Sequence, residues 1–569
     1  MNFFHLPTRA CRSGFTGLIF GLLLNAPLQA ASAVKATPEK PNILIILADD
    51  LGYGDVQCYN PERGKIPTPN MDGLAAQGMR FTDGHSSAAG CTPSRYSLIT
   101  GRYDWRSSCQ RGVFGGFGGP PLIKPERLTI AGLAKQSGYR TAVVGKWHIG
   151  WDWPVPKSQY QLLGTESFEA IQKRFVDEGE PPCPSIEELA ENGFYKVEPM
   201  RSYKTPVPTE EQLAAWKNFF SKPIGGGPTA HGFDSYYGVD APGYPPYCFI
   251  ENDRTVGIPT QFLPADKILP GAILGECQGP TVKDWDFEAV MPMMVHRACS
   301  IIEESAKTKD PFLLFVALPA PHQPWAVPEE KRKKSGLTLY CDWVMETDAV
   351  VGQLIRTLDG AGIGKNTLVI LCSDNGYSPY GVAQLKKLGH WASGPLNGYK
   401  ATPYEGGHRE PFIVRWPAVV KAGSVCKQLV QQTDIMATMA EIFATKLPEN
   451  AGEDSFSFLP LLKGEDRPVR SHVVNHSGQG GYGIRQGDWK LILEVDRPDP
   501  PKLFNLAEDL GEEKNLAAKY PEKVAELRAL MAKLVADGRS TLGAQQPNDV
   551  PVRWLRKCET PEGASQGSK

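Results

Sequence analysis

Five short, nearly uninterrupted apolar runs, each stopping abruptly at polar residues, most narrow what this chain can fold into. They are NILIILADD (42–50), RTAVVGKWH (140–148), PFLLFVALPAPH (311–322), TLVILCSDN (367–375) and PFIVRWP (411–417). A strand with one wet face alternates apolar and polar residues; a run without that alternation is buried on both faces. Helical stretches separate the runs, at 68–78, 128–138 and 339–362. The alternation predicts an α/β fold: a large mixed, mostly parallel sheet sandwiched by helices. Ligands in such folds bind beyond the carboxyl ends of the strands. Four run ends carry chemistry there: Asp49 and Asp50, Lys146 and His148, His322, and Asp374 with Asn375. These ends are expected to converge.

The 569 residues allow one large domain and a smaller one. The segment 151–285 is rich in Pro, Gly and aromatics and reads as insertions over the sheet, with one helix after Thr209, where Thr-x-x-Gln spacing suits a capping box. The glycine-rich stretch GVFGGFGGPP (112–121) reads as a loop over the site or a plain flexible loop. Past residue 465 the texture shifts to strands joined by glycine turns, then a charged helix at 520–536 and a polar tail. The expected organisation is a signal peptide at 1–33, a catalytic domain at 34–465 and an α+β C-terminal subdomain with its tail at 466–569. GQGGYG (478–483) has dinucleotide-site spacing, but a strand pattern follows where that site needs a helix, so it is rejected.

Arg9 and Arg12, the apolar stretch GFTGLIFGLLLNAPL and a small-residue ASA (31–33) or LQA (28–30) read as an export signal. The apolar run is short for a membrane span, and none later is longer, so no membrane span is expected. Net charge is −2 and no long Lys/Arg tract exists, which removes the electrostatic footprint of nucleic-acid binding. There are twelve cysteines and no C-x-x-C, so thiolate zinc and thioredoxin-like chemistry are unsupported. Cys372 lies in an apolar strand and Cys299 in a helical run, so both read as buried thiols; others are available for disulfides after export.

The carboxylates and amide of Asp49, Asp50, Asp374 and Asn375 are hard oxygen ligands suited to Ca²⁺ or Mg²⁺. Arg95, Lys146, His148, His322 and Lys400 are candidate cations around an anion. In GCTPSR (90–95), Cys91 reads as the first residue of a helix, where the helix terminus and Arg95 would lower a thiol pKa. A divalent metal, fixed cations and a nucleophile at a helix start describe a site for in-line displacement on a tetrahedral oxyanion ester.

CTPSRYSLITG (91–101) closely resembles the C-x-P-S-R…T-G signature of type I sulfatases, and GYRTAVVGKWH (138–148) resembles their second signature. PNILIILADDLGYGD (41–55), SDNG (373–376) and GYKATPYEGGHREPFIVRWP (398–417) follow in the family's order, so the resemblance spans roughly 40–510. Gly90 departs from the larger or hydroxylated residue usual before that cysteine. The resemblance implies an alkaline-phosphatase-like fold and oxidation of Cys91 to formylglycine by a maturation enzyme during export. It also implies one Ca²⁺ held by Asp49, Asp50, Asp374, Asn375 and residue 91. One hydroxyl of the aldehyde hydrate would attack sulfur, with His322 protonating the leaving alcohol and Lys400 holding sulfate. His148 would then take a proton from the second hydroxyl to eject sulfate, while Arg95 and Lys146 hold the hydrate.

AHGFDSYYG (230–238) and GHREPF look most like exported bacterial sulfatases related to N-acetylgalactosamine-6-sulfatase and arylsulfatase A. That suggests a sulfated saccharide, with a 6-O-sulfated galactose or N-acetylgalactosamine unit as the candidate. His231, Asp240, Arg254 and His476 are candidate substrate contacts, and Trp151, Trp153 and Trp325 either stack on sugars or pack under the insertions. Two rivals stand beside this reading: a phosphate or phosphonate ester hydrolase of the same superfamily, and a non-catalytic protein that binds sulfated glycans.

Overall fold

The computed structural model describes residues 40–117, 119–177, 207–264, 267, 277–380, 384–495 and 499–555. The expected signal peptide, Cys183 and Cys558 lie outside them. Ten strands form the main sheet. In chain order they are β1 (Asn42–Asp49), β2 (Met79–Phe81), β3 (Arg140–Lys146), β4 (Ser235–Val239), β5 (Ile250–Glu251), β6 (Arg254–Thr255), β7 (Phe312–Pro321), β8 (Thr367–Ser373), β9 (Phe412–Arg415) and β10 (Ser424–Cys426). Their spatial order is β10-β2-β9-β8-β1-β7-β3-β4-β5-β6. The five central strands, β8 to β4, run parallel, while β9 and β5 pair antiparallel on either side. The five apolar runs are therefore β1, β3, β7, β8 and β9.

Alternate residues of β1 show why these runs lack a polar face. Leu44 and Ile46 enter one core with helices α1 (Pro69–Gln77), α5 (Phe287–Thr308) and α6 (Leu339–Gly360). Ile43, Ile45 and Leu47 enter the other, with α2 (Cys91–Thr100), α3 (Ile130–Gln136), α4 (Glu210–Phe220) and α7 (Asp434–Ile442). The predicted capping box of α4 is present: Thr209 Oγ1 accepts from Gln212 N, and Gln212 Oε1 from Thr209 N.

The C-terminal part is an antiparallel sheet of β11 (His472–His476), β12 (Tyr482–Gln486), β13 (Trp489–Leu493) and β14 (Lys502–Asn505). Helix α8 (Pro521–Asp537) covers one face through Leu527, Met531 and Leu534, and Tyr103 and Trp105 of the main part join the same core. Cys299 and Cys372 are buried thiols, as expected. Trp151, Trp153 and Trp325 are buried in the two main cores, so packing rather than sugar stacking is their role.

Candidate functional site

The ends of β1, β3, β7 and β8 meet at the N-terminus of α2. That helix is buried at all ten positions, starts after extended Gly90 and ends at Gly101, whose φ of 63° is the left-handed turn glycine permits. Ligand atoms of Asp49, Asp50, Cys91 and His322 all lie within 4.8 Å of one another. Two site residues following strands, Asp50 at φ 66° and His148 at φ 57°, sit in the left-handed region. Such strain costs about 1–3 kcal/mol per residue and persists where the surroundings over-determine it.

Three carboxylates face three permanent cations. Lys146 Nζ donates to Asp49 Oδ2 at 2.6 Å, and Lys400 Nζ lies 2.7 Å from Asp50 Oδ1. Arg95 grips Asp374 Oδ2 through Nε at 2.9 Å and Nη2 at 2.8 Å, and donates from Nη1 to the Lys146 carbonyl at 2.9 Å. Asn375 Nδ2 donates to Asp50 Oδ1 at 2.6 Å. Burial opposes ionisation of Asp49, but Lys146, His322 and Arg95 hold it well below the usual carboxylate range. Burial and then the Asp49 charge push Asp374 up to about 7. Asp49 Oδ1 and Asn375 Oδ1 are buried acceptors without a hydrogen-bond partner.

The Cys91 thiol reverses the sequence expectation. Burial pushes it up to about 12, overriding Lys146 and Lys400, so it is protonated at neutral pH. The helix terminus cannot compensate for removing the thiolate from water.

The two histidines have assignable protons. His148 Nε2 lies 2.5 Å from the Phe114 carbonyl, which can only accept, so Nε2 carries the hydrogen and the partnerless Nδ1 a lone pair. Burial and Lys146 hold its pKa well below the usual imidazole range. His322 Nδ1 donates to the Gln323 carbonyl at 2.5 Å, leaving an Nε2 lone pair 3.7 Å from Asp50 Oδ2. Burial and Lys400 lower it to about 4. Phe114, from the glycine-rich loop, was not singled out in the sequence because its contribution is a backbone carbonyl; its own N–H donates to Thr92 Oγ1 at 3.1 Å.

The other candidates are engaged elsewhere. Asp240 stands behind His148, accepting from His148 N at 3.2 Å and Trp151 Nε1 at 3.1 Å; burial raises its pKa to about 6. His231 is buried with its ring stacked on Trp147, and Nε2 faces the Gly226 carbonyl at 3.2 Å. His476 is buried, with Nδ1 2.6 Å from Asp104 Oδ2 and its ring stacked on Tyr482. Arg254 is exposed on β6, the edge of the sheet five positions from β1, and donates to the Ser221 carbonyl. None of His231, His476 or Arg254 joins the cluster, because burial, an internal partner or position takes each away.

A second buried constellation, missed in the sequence, ties β12 and β13 to the main part. Lys490 Nζ lies 2.9 Å from Glu405 Oε1, 2.9 Å from Glu512 Oε1 and 3.1 Å from His408 Nε2. His408 and His85 meet Nδ1 to Nδ1 at 3.0 Å, and His85 Nε2 reaches Asp83 Oδ1 at 2.8 Å. The ammonium can only donate, so the protons run one way: Lys490 to His408, His408 to His85, His85 to Asp83. The Pro403 carbonyl, 3.3 Å from His408 Nε2, is the longer and uncharged alternative. Arg485 closes the chain on Asp83 with two contacts of 2.9 Å.

A family model described as Sulfatase matches residues 41–193 and 209–445, and one described as N-sulphoglucosamine sulphohydrolase, C-terminal, matches 399–539. The chain is 31% identical over 521 residues to an N-acetylgalactosamine-6-O-sulfatase of Bacteroides thetaiotaomicron, covering 87% of this chain and 93% of that protein. It is 29% identical to human arylsulfatase A, covering 91% and 92%. A solved structure from work on glycosaminoglycan metabolism by Bacteroides thetaiotaomicron superposes with TM-score 0.70 at 27% identity, covering 87% of this chain and 99% of that one. With the strand-end site on the expected large mixed sheet, these matches establish that the chain belongs to the sulfatase family and is a sulfuric ester hydrolase.

Proposed function

We propose that this sulfatase removes sulfate from a sulfated carbohydrate after export, with Cys91 matured to formylglycine and Ca²⁺ held at the strand ends. The observation that carries the reading is residue 91 itself: first in a buried helix, clustered with Asp49, Asp50 and His322, and ringed by Arg95, Lys146 and Lys400. A protonated thiol is a poor nucleophile there, whereas an aldehyde hydrate needs no thiolate.

The donor set fits the metal. Asp49 Oδ1 and Asn375 Oδ1 are buried, unpartnered hard oxygens, which suit Ca²⁺. Asp49, Asp50, Asp374, Asn375 and residue 91 would hold it, and it would supply positive charge beside the sulfate and the nucleophile. Formylglycine would supply that nucleophile as one hydroxyl of its hydrate, so that one displacement becomes two steps.

The chain's own groups have matching roles. His148 Nδ1, neutral and with its lone pair free, accepts the proton whose removal expels sulfate in the second step. Lys400 holds a sulfate oxygen, and Arg95 and Lys146 neutralise charge around residue 91. His322 protonates the departing alcohol; it is neutral in the free site, and a bound anion favours the imidazolium it needs. Asp240, accepting from His148 N, is a positioning residue.

A carbohydrate substrate is supported by the N-acetylgalactosamine-6-O-sulfatase relative and the glycosaminoglycan-linked structure. The candidate unit is a 6-O-sulfated galactose or N-acetylgalactosamine. Export rests on the N-terminal signal pattern, and formylglycine at residue 91 entails a formylglycine-generating maturation partner; among the described residues no helix is long and apolar enough to cross a membrane.

The test is coexpression with a formylglycine-generating enzyme, mass analysis of the peptide carrying residue 91, and sulfate release from sulfated saccharides with and without a calcium chelator. Aldehyde, chelator-sensitive release and no release by Cys91→Ala support the proposal. With the aldehyde confirmed, release from matched phosphate esters alone would refute it.

A further inference from the structure

Beside the reaction centre lies a cavity of about 540 Å³, within the range of roughly 300–1,000 Å³ that ligand pockets span. One wall is the loop carrying Tyr399, Lys400 and Tyr404; the other is built from Gln479, Glu494 and Lys502 of the C-terminal part. Lys400 belongs to both places, lining the cavity while its ammonium lies against Asp50. Backbone contacts tie the walls to the segments on either side of the catalytic helix: Ala401 N donates to the Ala89 carbonyl at 2.6 Å, and Gly112 N to the Gly478 carbonyl at 2.9 Å.

We propose that this cavity is a subsite for the sugar unit next to the sulfated one, gripped through its hydroxyls and one ring face. The inference rests on the carbohydrate reading above and assigns the second unit of that substrate. A hydroxylated ring offers donors and acceptors around its edge and C–H groups on its faces. Glu494 is an acceptor for hydroxyls, and Lys502 is a donor whose ammonium is steadied by Tyr404 Oη at 2.9 Å. Tyr399, 41% exposed, offers an aromatic surface that needs no burial by the protein itself. Lys400 is already paired with Asp50, so Glu494 and Lys502 are the acid and the base left to face the ligand, a balance that matches a neutral sugar. Because both polar groups come from the C-terminal part, that part takes a share in substrate choice.

The experiment compares kcat/KM for three sulfate esters: an aryl sulfate, a 6-O-sulfated monosaccharide, and a trisaccharide with neutral units beside the sulfated one. Wild type should favour the trisaccharide over the monosaccharide by tenfold or more. Lys502→Met and Glu494→Gln should each shrink that ratio at least fivefold, through KM rather than kcat, and Lys502→Arg should restore part of it. A wild-type ratio near one, or variants that depress both saccharides equally, would overturn the subsite. Turnover of the aryl ester with neither saccharide touched would overturn the carbohydrate reading and the subsite together. A trisaccharide with an acidic neighbour outcompeting the neutral one would refute the neutral-sugar assignment.

Discussion

Lys490→Met should loosen the C-terminal sheet from the catalytic part. Lys490 is buried, with Glu405 Oε1 and Glu512 Oε1 each 2.9 Å from its ammonium. At an effective dielectric near 20, a full pair at that distance is worth roughly 6 kcal/mol of attraction before desolvation. Glu512 is pushed by burial up to about 7, so near neutrality it contributes only part of a charge. Burial opposes ionisation of Glu405, but Lys490, His85 and His408 hold it well below the usual range; it is the full partner. Truncating one member of a buried pair costs about 3–5 kcal/mol; Arg409 Nη1, 3.2 Å from Glu405 Oε2, still faces the carboxylate, so the lower end of that range applies. His408 also loses its donor, so the proton order through His85 to Asp83 is no longer imposed.

The assay is amide hydrogen exchange of Tyr482–Gln486 and Trp489–Leu493, the β12 and β13 strands, which reports local opening. A loss of 3 kcal/mol corresponds to exchange faster by about a hundredfold. Glu405→Gln and the double variant complete a cycle. Because the Glu405→Gln change removes the charge that Lys490→Met would leave under-compensated, the double variant should recover part of the loss, with a coupling of about 2 kcal/mol. A coupling within about 0.5 kcal/mol of zero would refute the argument, since the two groups would then not be interacting as a buried pair.

Cys91→Ser should release the alcohol once per active site and then stop, because a serine sulfate ester lacks the second hydroxyl; steady turnover in a burst assay would count against the hydrate. Gly145→Ala should cost at least about 2 kcal/mol and activity with it: φ is 124° and the new Cβ would lie 1.9 Å from the Ala317 carbonyl oxygen, just before Lys146. Unchanged melting and kcat/KM would show that the strand end can shift. His472, lowered by burial and Arg470 from 6.5 to about 4, binds its proton more readily when unfolded, so it supports the fold above pH 6.5 and that support is lost as pH falls towards 4. The shift is worth roughly 3 kcal/mol. His472→Gln should flatten the acid limb of the stability profile, and an unchanged limb would rule His472 out.

What could be read in advance follows from how far each signal is local. NILIILADD announced both a doubly buried strand and the acids at its end, because period and polarity change within nine residues. The four strand ends converged for a topological reason: parallel neighbours put their carboxyl ends on one side, so Asp49, Lys146, His322 and Asp374 had to meet. Cys91 gained meaning from its motif, yet its thiol was misjudged, because depth of burial is a property of the packed helix and not of the residues beside it. The tryptophans stay undecided in the sequence for a related reason: a large ring serves a sugar or a core equally, and only the insertions above Trp151 and Trp153 decide. Phe114 was invisible because a carbonyl carries no residue-type signature. The Lys490–His408–His85–Asp83 chain was invisible because its members come from three distant segments with no common period. That chain and the cavity beside Lys400 share a consequence. The C-terminal sheet is anchored by buried charge on one side and lines the substrate cavity on the other, so a change that loosens Lys490 should also move Glu494, one residue beyond β13, and Lys502, the first of β14. Measured on the trisaccharide and the aryl sulfate together, Lys490→Met should therefore weaken the saccharide more than the small ester. Equal losses on both would separate the anchor from the cavity.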